Sequence, residues 1–239
     1  MAFDRKVGLA GASLVLLACV GMLGCERAGP PAAVEVEARP GSVVVIPFKK
    51  SVKGKEVNAL GVIPAEPKFS PKPLPNGATA LHWSLSLFGK GAVEGNLLVQ
   101  VPEESTGDIE FSLSAHGSGR AQFGSLANFS TEPVHVTIKP NGSPIDKSSP
   151  VFTGEWVSDQ WSWTFEGGAI PALRTRHAKG ETKSLRFRAY ADGSGGWFLI
   201  EPVPDGVAYW IRMNGAGEML VAHPDKEFRP FLKLKRVAN

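Results

Sequence analysis

Residues 189–215 read AYADGSGGWFLIEPVPDGVAYWIRMNG, and this stretch decides the fold of the C-terminal part of the chain. Its apolar runs are separated by Asp192-Gly193, Asp205-Gly206 and Asn214-Gly215. Such pairs favour tight hairpins because their residues readily adopt the positive φ that these turns need. Sequential hairpins predict an up-and-down meander of antiparallel strands. No window of a dozen residues beyond residue 33 keeps a helical period of 3.6, so the body of the chain is predicted to be all-β.

Composition agrees with that prediction. The 239 residues include 27 glycines and 19 prolines, which favour turns and short strands over long helices. With 43% apolar and 21% charged residues, the chain has the composition of a globular protein and not of a disordered tail. Both cysteines lie in the first 25 residues. They exclude a disulfide scaffold and leave no thiol in the body for catalysis, redox chemistry or metal binding.

The first half of the body contains alternating runs separated by turn signals about 8 to 12 residues apart, which predicts an immunoglobulin-like β-sandwich over residues 33–147. Polar and turn-forming residues fill 140–150, so a domain boundary is predicted there. The predicted strands are 33–38, 42–48, 57–63, 80–88, 96–101, 108–115, 120–128 and 134–139.

The second half is predicted to form a small up-and-down β-barrel over residues 150–239. A flat meander of short strands would leave two bare edges, and closure removes them. The predicted strands are 152–157, 160–166, 169–174, 184–191, 196–201, 207–213, 218–222 and 228–237.

Gly154-Glu155-Trp156, at the start of the first of these strands, resembles the G-x-W motif of lipocalin-like barrels. That family pairs the tryptophan with a basic residue near the end of the last strand. Here alternation puts Arg236 on the same face as Leu232 and Leu234. The resemblance implies that Arg236 stacks on Trp156, within about 6 Å, and closes the barrel floor. Because strands of about six residues are short for this family, we expect a packed interior and infer no transport function from the resemblance.

The N-terminus has a basic start and an uncharged apolar run over residues 7–24, the pattern of an export signal. The run ends in Met22-Leu23-Gly24-Cys25, which resembles the lipobox of bacterial lipoprotein signal peptides. The resemblance implies that residues 1–24 are removed, that Cys25 is lipidated, and that residues 25–32 form a tether. A lipoprotein of the outer membrane is the localisation suggested by Glu26.

Two alternatives to this reading of the leader stay open. Cys19, after Leu16-Leu17-Ala18, is a comparable lipidation site, although polar Glu26-Arg27 and a Gly/Pro-rich stretch favour Cys25. The apolar run, about 18 residues long, is also near the minimum for an uncleaved membrane anchor.

Charge indicates no nucleic-acid partner. Removing residues 1–25 leaves 24 basic and 22 acidic residues, a net charge of +2, and the sequence shows no one-sided basic stripe. The predicted partners are the membrane, through the N-terminal lipid, and an envelope protein or a cell-wall or surface glycan.

No catalytic pattern stands out, so the chain is predicted to be a non-catalytic binding or scaffolding protein without a metal or cofactor. The five histidines lack metal-ligand spacing. Two alternatives remain: a carrier of a small apolar ligand in the barrel, and an envelope hydrolase in which His116 or His177 meets a carboxylate and a hydroxyl.

Aromatic residues of the barrel are the candidate ligand site. If exposed on one side, their rings would form a platform that stacks on sugar faces, whereas a small barrel also needs bulky residues for its core, which is the favoured interpretation. The candidate residues are Trp161, Trp163, Trp197, Tyr209 and Trp210.

Overall fold

The computed structural model describes residues 33–53, 72–88, 92–120, 126–145, 152–167, 171–203, 206–215 and 217–237. Within these ranges the chain is all-β, with eighteen strands and one short 3-10 helix at Pro75–Gly77. The first nine strands are β1 (Val34–Ala38), β2 (Val43–Lys53), β3 (Lys72–Pro73), β4 (Thr79–Phe88), β5 (Ala92–Gln100), β6 (Ile109–Leu113), β7 (His116–Arg120), β8 (Leu126–Thr131) and β9 (Val134–Pro140). The other nine are β10 (Gly154–Val157), β11 (Trp161–Glu166), β12 (Ala172–His177), β13 (Thr182–Arg186), β14 (Arg188–Ala191), β15 (Trp197–Ile200), β16 (Ala208–Met213), β17 (Glu218–Ala222) and β18 (Pro230–Arg236).

Strands β1–β9 form a β-sandwich, as predicted. Its sheets have the orders β1-β9-β6 and β3-β4-β5-β2-β8-β7, and β1 runs parallel to β9. Alternation along β9 explains the packing, since Val134, Val136 and Ile138 are buried while His135 between them is exposed. These side chains meet Ile46 of β2 and others in the sandwich core.

Strands β10–β18 form one nine-stranded sheet that curls into a nearly closed up-and-down barrel, which confirms the predicted architecture. The order is β13-β12-β11-β10-β18-β17-β16-β15-β14, so the first barrel strand pairs with the last. The two edge strands, β13 and β14, are consecutive in the chain and separated only by Phe187. The single strand predicted at 184–191 is therefore wrong. The strand is interrupted at Phe187, whose backbone N–H donates to the carbonyl of Pro171.

A third apolar cluster joins the sandwich to the barrel. Leu98 of β5 and Val43 of β2 pack with Phe198, Ile200 and Trp210 of the barrel exterior. In β5 three successive residues, Leu97–Val99, are all buried because one face meets the sandwich core and the other meets the barrel. This shared interface fixes the relative placement of the two β units.

Two of the predicted sandwich strands include residues that the structure does not describe. The strand predicted at 120–128 includes the last residue of β7, Arg120, and the first residues of β8, which begins at Leu126, while residues 121–125 lie outside the described residues. The strand predicted at 57–63 lies outside the described residues.

Candidate functional site

A cleft of ≈ 250 Å³ lies where the β1–β2 turn of the sandwich meets the β14–β15 hairpin of the barrel. Apolar side chains of the third cluster form part of its wall, and charged side chains line the rest. The lining includes Val43, Phe198, Trp210, Asp192, Ser194 and Arg212.

Asp192 is the most buried charged group in the lining, with its side chain 2% exposed. Its Oδ1 accepts hydrogen bonds from the backbone N–H groups of Ser194 at 2.7 Å and Gly196 at 2.8 Å. Its Oδ2 accepts from Ser194 Oγ at 2.9 Å and from Trp210 Nε1 at 2.7 Å. A buried carboxylate is stable only with such partners, so this network accounts for the presence of Asp192 beside an apolar cluster.

Arg212 completes the charge arrangement. Its Nη2 lies 3.7 Å from Asp192 Oδ2 and donates to Ser194 Oγ at 3.1 Å. The guanidinium carbon lies 5.1 Å from the ring centroid of Trp210 and 4.5 Å from that of Phe228. Its Nε is buried with no hydrogen-bond partner among the described residues. Arg212 is therefore held by two rings and one carboxylate.

The hairpin that carries Asp192 fits tightly against the sandwich. Gly193 has φ +79°, and a Cβ there would lie 3.2 Å from the Cβ of Ser42, so glycine is required both by conformation and by contact. Ser42 is buried and its Oγ donates to the Arg39 carbonyl at 2.7 Å. Arg39 Nη1 in turn donates to the Gly193 carbonyl at 3.5 Å.

These contacts define what the cleft can do. Both oxygens of Asp192 already accept two hydrogen bonds each, so the carboxylate has little capacity left to take a proton from a substrate. The network fixes the conformation of the β14–β15 hairpin and ties it to Trp210 and Arg212 of β16. Contact with the β1–β2 turn is made by Gly193.

The predicted pair Trp156 and Arg236 lies at the closure of the barrel. The two residues are opposite each other in the β10–β18 pairing, and the guanidinium carbon lies 5.8 Å from the Trp156 ring centroid. That distance is within the expected 6 Å. Trp156 is buried and Arg236 is exposed, so the guanidinium covers the ring from the solvent side.

The structure divides the five candidate platform residues between two environments. Trp163 is buried in the barrel core, and half-buried Trp161 and Tyr209 pack against that core, with the rings of Trp163 and Tyr209 5.0 Å apart. Trp197 packs edge-on against Phe152, which itself contacts that core.

Trp210 instead lies on the barrel exterior in the third cluster. The five rings therefore share no exposed face, and the core interpretation describes their positions. Burial and the charge of Glu201 raise the pKa of the Tyr209 hydroxyl, as expected of a phenol in this setting.

Histidine contacts do not assemble a triad in the described part of the chain. The ring of His177 lies 4.7 Å from that of Trp161, and its Nδ1 accepts from the backbone N–H of Lys179 at 3.1 Å. The side chain of His116 lies outside the described residues, and so does Cys25.

His82 of β4 provides a test of stability against pH. Burial lowers its pKa from the ordinary value of 6.5, so the unfolded chain takes up a proton at higher pH than the folded one. We expect the free energy of unfolding to decrease as the pH falls below about 6.5 and to stop decreasing on this account below the folded pKa. Urea unfolding of His82→Gln should lack this component. The matched His135→Gln variant, at an exposed position, should keep it, and equal behaviour of the two variants would contradict the assignment.

Among the described residues, no group of three His, Cys, Asp or Glu side chains could hold a metal ion. No helix in these ranges is both long and apolar enough to cross a membrane. Comparison with family models, curated proteins and solved structures gives no match.

Sequence reasoning missed Asp192 and Arg212. Asp192-Gly193 reads as a turn signal, which it is, and nothing local marks the same carboxylate as the acceptor of Trp210 Nε1. The one available signal is alternation in β16, which places Trp210 and Arg212 on the same face.

Proposed function

We propose that this chain is a lipid-anchored protein of the bacterial cell envelope with a non-catalytic binding or scaffolding role. The observation that carries the proposal is the apolar run over residues 7–24 followed at once by Cys25 and a Gly/Pro-rich stretch. A thioether-linked diacylglycerol with an added acyl chain exceeds the two lipid signals that stable anchoring needs. The outer membrane is the proposed location.

The topology supports an orientation for the anchored protein. β1 begins at Val34, nine residues after Cys25, a span of about 30 Å when extended. Val34 pairs with Val136 of β9, and Thr131, shortly before β9, pairs with Val52 at the far end of β2. The tether therefore enters at the end of the sandwich where β2 finishes.

The barrel packs on the outer face of the sheet that contains β2 and β5, and its contacts reach the β1–β2 turn. β1 runs away from the tether to Ala38, and the turn that follows contacts the barrel through Arg39 and Ser42. The β1–β2 turn, which contacts the barrel, is therefore the end of β1 farther from the proposed tether. We infer that the barrel is the part that meets an envelope protein or a cell-wall glycan, and no nucleic acid is proposed as a partner.

Neither alternative function is favoured by a specific contact. The barrel interior contains closely packed rings, with Phe165 and Phe187 at 5.9 Å and Trp163 and Phe165 at 6.3 Å, which does not favour a carrier. The contacts of His177 with Trp161 and a backbone N–H do not favour a hydrolase.

Cys25→Ser tests the proposed anchor. With the thiol removed no thioether can form, so we expect loss of radioactive palmitate labelling and release of the protein from the membrane pellet. Cys19→Ser is the matched control and should leave both unchanged. Labelling that survives in Cys25→Ser and is lost in Cys19→Ser would move the lipid to Cys19, and labelling of neither wild type nor variants would overturn the proposal.

A further inference from the structure

Four arginines lie together on the outside of the barrel. Arg174 and Arg176 belong to β12, Arg186 to β13 and Arg188 to β14, and all four are exposed. Their chain neighbours point the other way, because Leu173, Leu185 and Phe187 are buried in the barrel core. We call this surface the basic face.

Most of the charge on the basic face is unpaired. Arg174 forms an ion pair with Glu166 at 3.0 Å. Among the described residues, Arg176, Arg186 and Arg188 have no ion-pair or hydrogen-bond partner for their side chains. The nearly neutral total charge of the chain therefore conceals a local excess of cations on one side of the barrel.

Strand register sets the spacing of the basic face. Arg174 and Arg176 are two residues apart on one strand, so their Cα atoms are about 7 Å apart. Arg186 lies opposite Ala172, one strand across and two residues further along the same face. Each arginine of β12 also has a hydroxyl residue on both neighbouring strands: Thr164 and Ser184 flank Arg174, and Ser162 and Thr182 flank Arg176.

This pattern fits a polymer that carries carboxylates. A guanidinium binds a carboxylate through two parallel hydrogen bonds, and hydroxyls serve as donors and acceptors for sugar and amide groups. The cations stand in a row on a strand surface and do not converge on a pocket. Such a row complements anionic groups that repeat along a chain better than a single small anion.

We propose that the basic face binds the carboxylates of the peptide-bearing glycan of the cell wall. The inference rests on the proposed function, because a location in the cell envelope brings this polymer within reach of the chain. The peptides of that polymer carry carboxylates, which complement the guanidinium groups of the basic face.

Co-sedimentation of the full chain, kept in non-ionic detergent, with purified cell-wall sacculi tests the proposal. The variant Arg176→Ser, Arg186→Ser, Arg188→Ser removes the three unpaired cations, and we expect binding to weaken about tenfold, as for the loss of three exposed ionic contacts. Wild-type binding should also fall with added salt. All three positions are exposed, and thermal unfolding of the variant will show that it is folded.

A matched control removes the same charge elsewhere. Lys50→Ser, Lys72→Ser, Lys226→Ser takes three cations from other surfaces and should bind like wild type. A second control acts on the partner, since sacculi whose carboxylates have been amidated should lose wild-type binding whatever the variants do. Equal weakening of both triple variants, or undiminished binding to amidated sacculi, would overturn the proposal.

Two further measurements separate this proposal from others. Vesicles of phosphatidylglycerol and phosphatidylcholine should bind the full chain equally with and without the three arginines. If vesicles show the arginine dependence and sacculi do not, the basic face binds a bilayer and the wall assignment is wrong. Cys25→Ser should bind sacculi like wild type, so failure of lipid anchoring and failure of wall binding are independent results.

Discussion

Asp192→Ala should lower the free energy of unfolding by about 3 kcal/mol, because it removes a buried carboxylate that accepts four hydrogen bonds, two of them from part-buried donors. The N–H of Gly196 and the indole N–H of Trp210 would lose their acceptor. Arg212 would keep its position over two rings without a counter-charge. Urea unfolding followed by tryptophan fluorescence measures the loss.

The control for this prediction is Asp159→Ala. Asp159 lies in the β10–β11 hairpin and is exposed, so the same chemical change should cost less than about 0.5 kcal/mol. Asp192→Asn should fall between the two, since it keeps one oxygen acceptor and turns the other group into a donor. Equal stability of Asp192→Ala and Asp159→Ala would show that the network does not hold the hairpin.

The same variant also reports on the contact between sandwich and barrel. The wild type should unfold in one transition, because Leu98 of the sandwich and Phe198 of the barrel are buried together in the third cluster. Loss of Asp192 loosens the hairpin that carries Gly193 against Ser42. We therefore expect the Asp192→Ala transition to broaden or to divide into two.

The barrel could be predicted from sequence because its signals are local. Asp192-Gly193 and Asn214-Gly215 each dictate a hairpin between adjacent strands, and the structure pairs β14 with β15 and β16 with β17. The break at Phe187 could not be predicted in this way. It depends on a change of partner strand: Phe187 still donates to Pro171 in register with β12, whereas Arg188 pairs with Ile200 of β15. No periodic pattern in the sequence reports such a change.

The third cluster also could not be predicted from the sequence patterns. Alternation correctly places the side chains of Tyr209 and Trp210 on opposite faces of β16, but it does not say which face of the strand meets the barrel core. Both faces of β16 are apolar because one meets the barrel core and the other meets the sandwich. Only the packing of the two units explains why Trp210 lies outside the barrel and is nevertheless buried.

The basic face likewise could not be predicted from the sequence. Arg174, Arg176, Arg186 and Arg188 are interleaved with apolar residues in sequence, so no basic run is visible. Strand pairing brings Arg174, Arg176 and Arg186 onto one surface, and Arg188 follows two residues after Arg186. Glu166 pairs with Arg174 alone, and Glu155 accepts a hydrogen bond from Ser162. Net charge averages over all surfaces of a protein. The conclusion drawn from the nearly neutral net charge therefore applies to the chain as a whole and not to this face.

Phe187→Ala should be at least as severe as Asp192→Ala, with a loss of about 3–5 kcal/mol in the free energy of unfolding. Phe187 is 1% exposed, lies between the two edge strands, and packs against Phe165 at 5.9 Å and Phe152 at 6.3 Å. Its loss leaves a cavity at the one place where the sheet is not closed by strand pairing. We therefore expect β13 to separate from β12, and β14 from β15, before the other barrel strands separate.

Hydrogen exchange distinguishes that outcome from a uniform loss of stability. In Phe187→Ala the amides of β12 and β15, which pair with the two edge strands, should lose protection more than those of β10 and β18, where the first and last strands pair. Phe231→Ala is the matched control: Phe231 is 52% exposed and stacks on His223, so its removal should cost less than about 1 kcal/mol. If β10 and β18 lose protection first in Phe187→Ala, the barrel opens at the pairing that joins its ends, and Phe187 is an ordinary core residue.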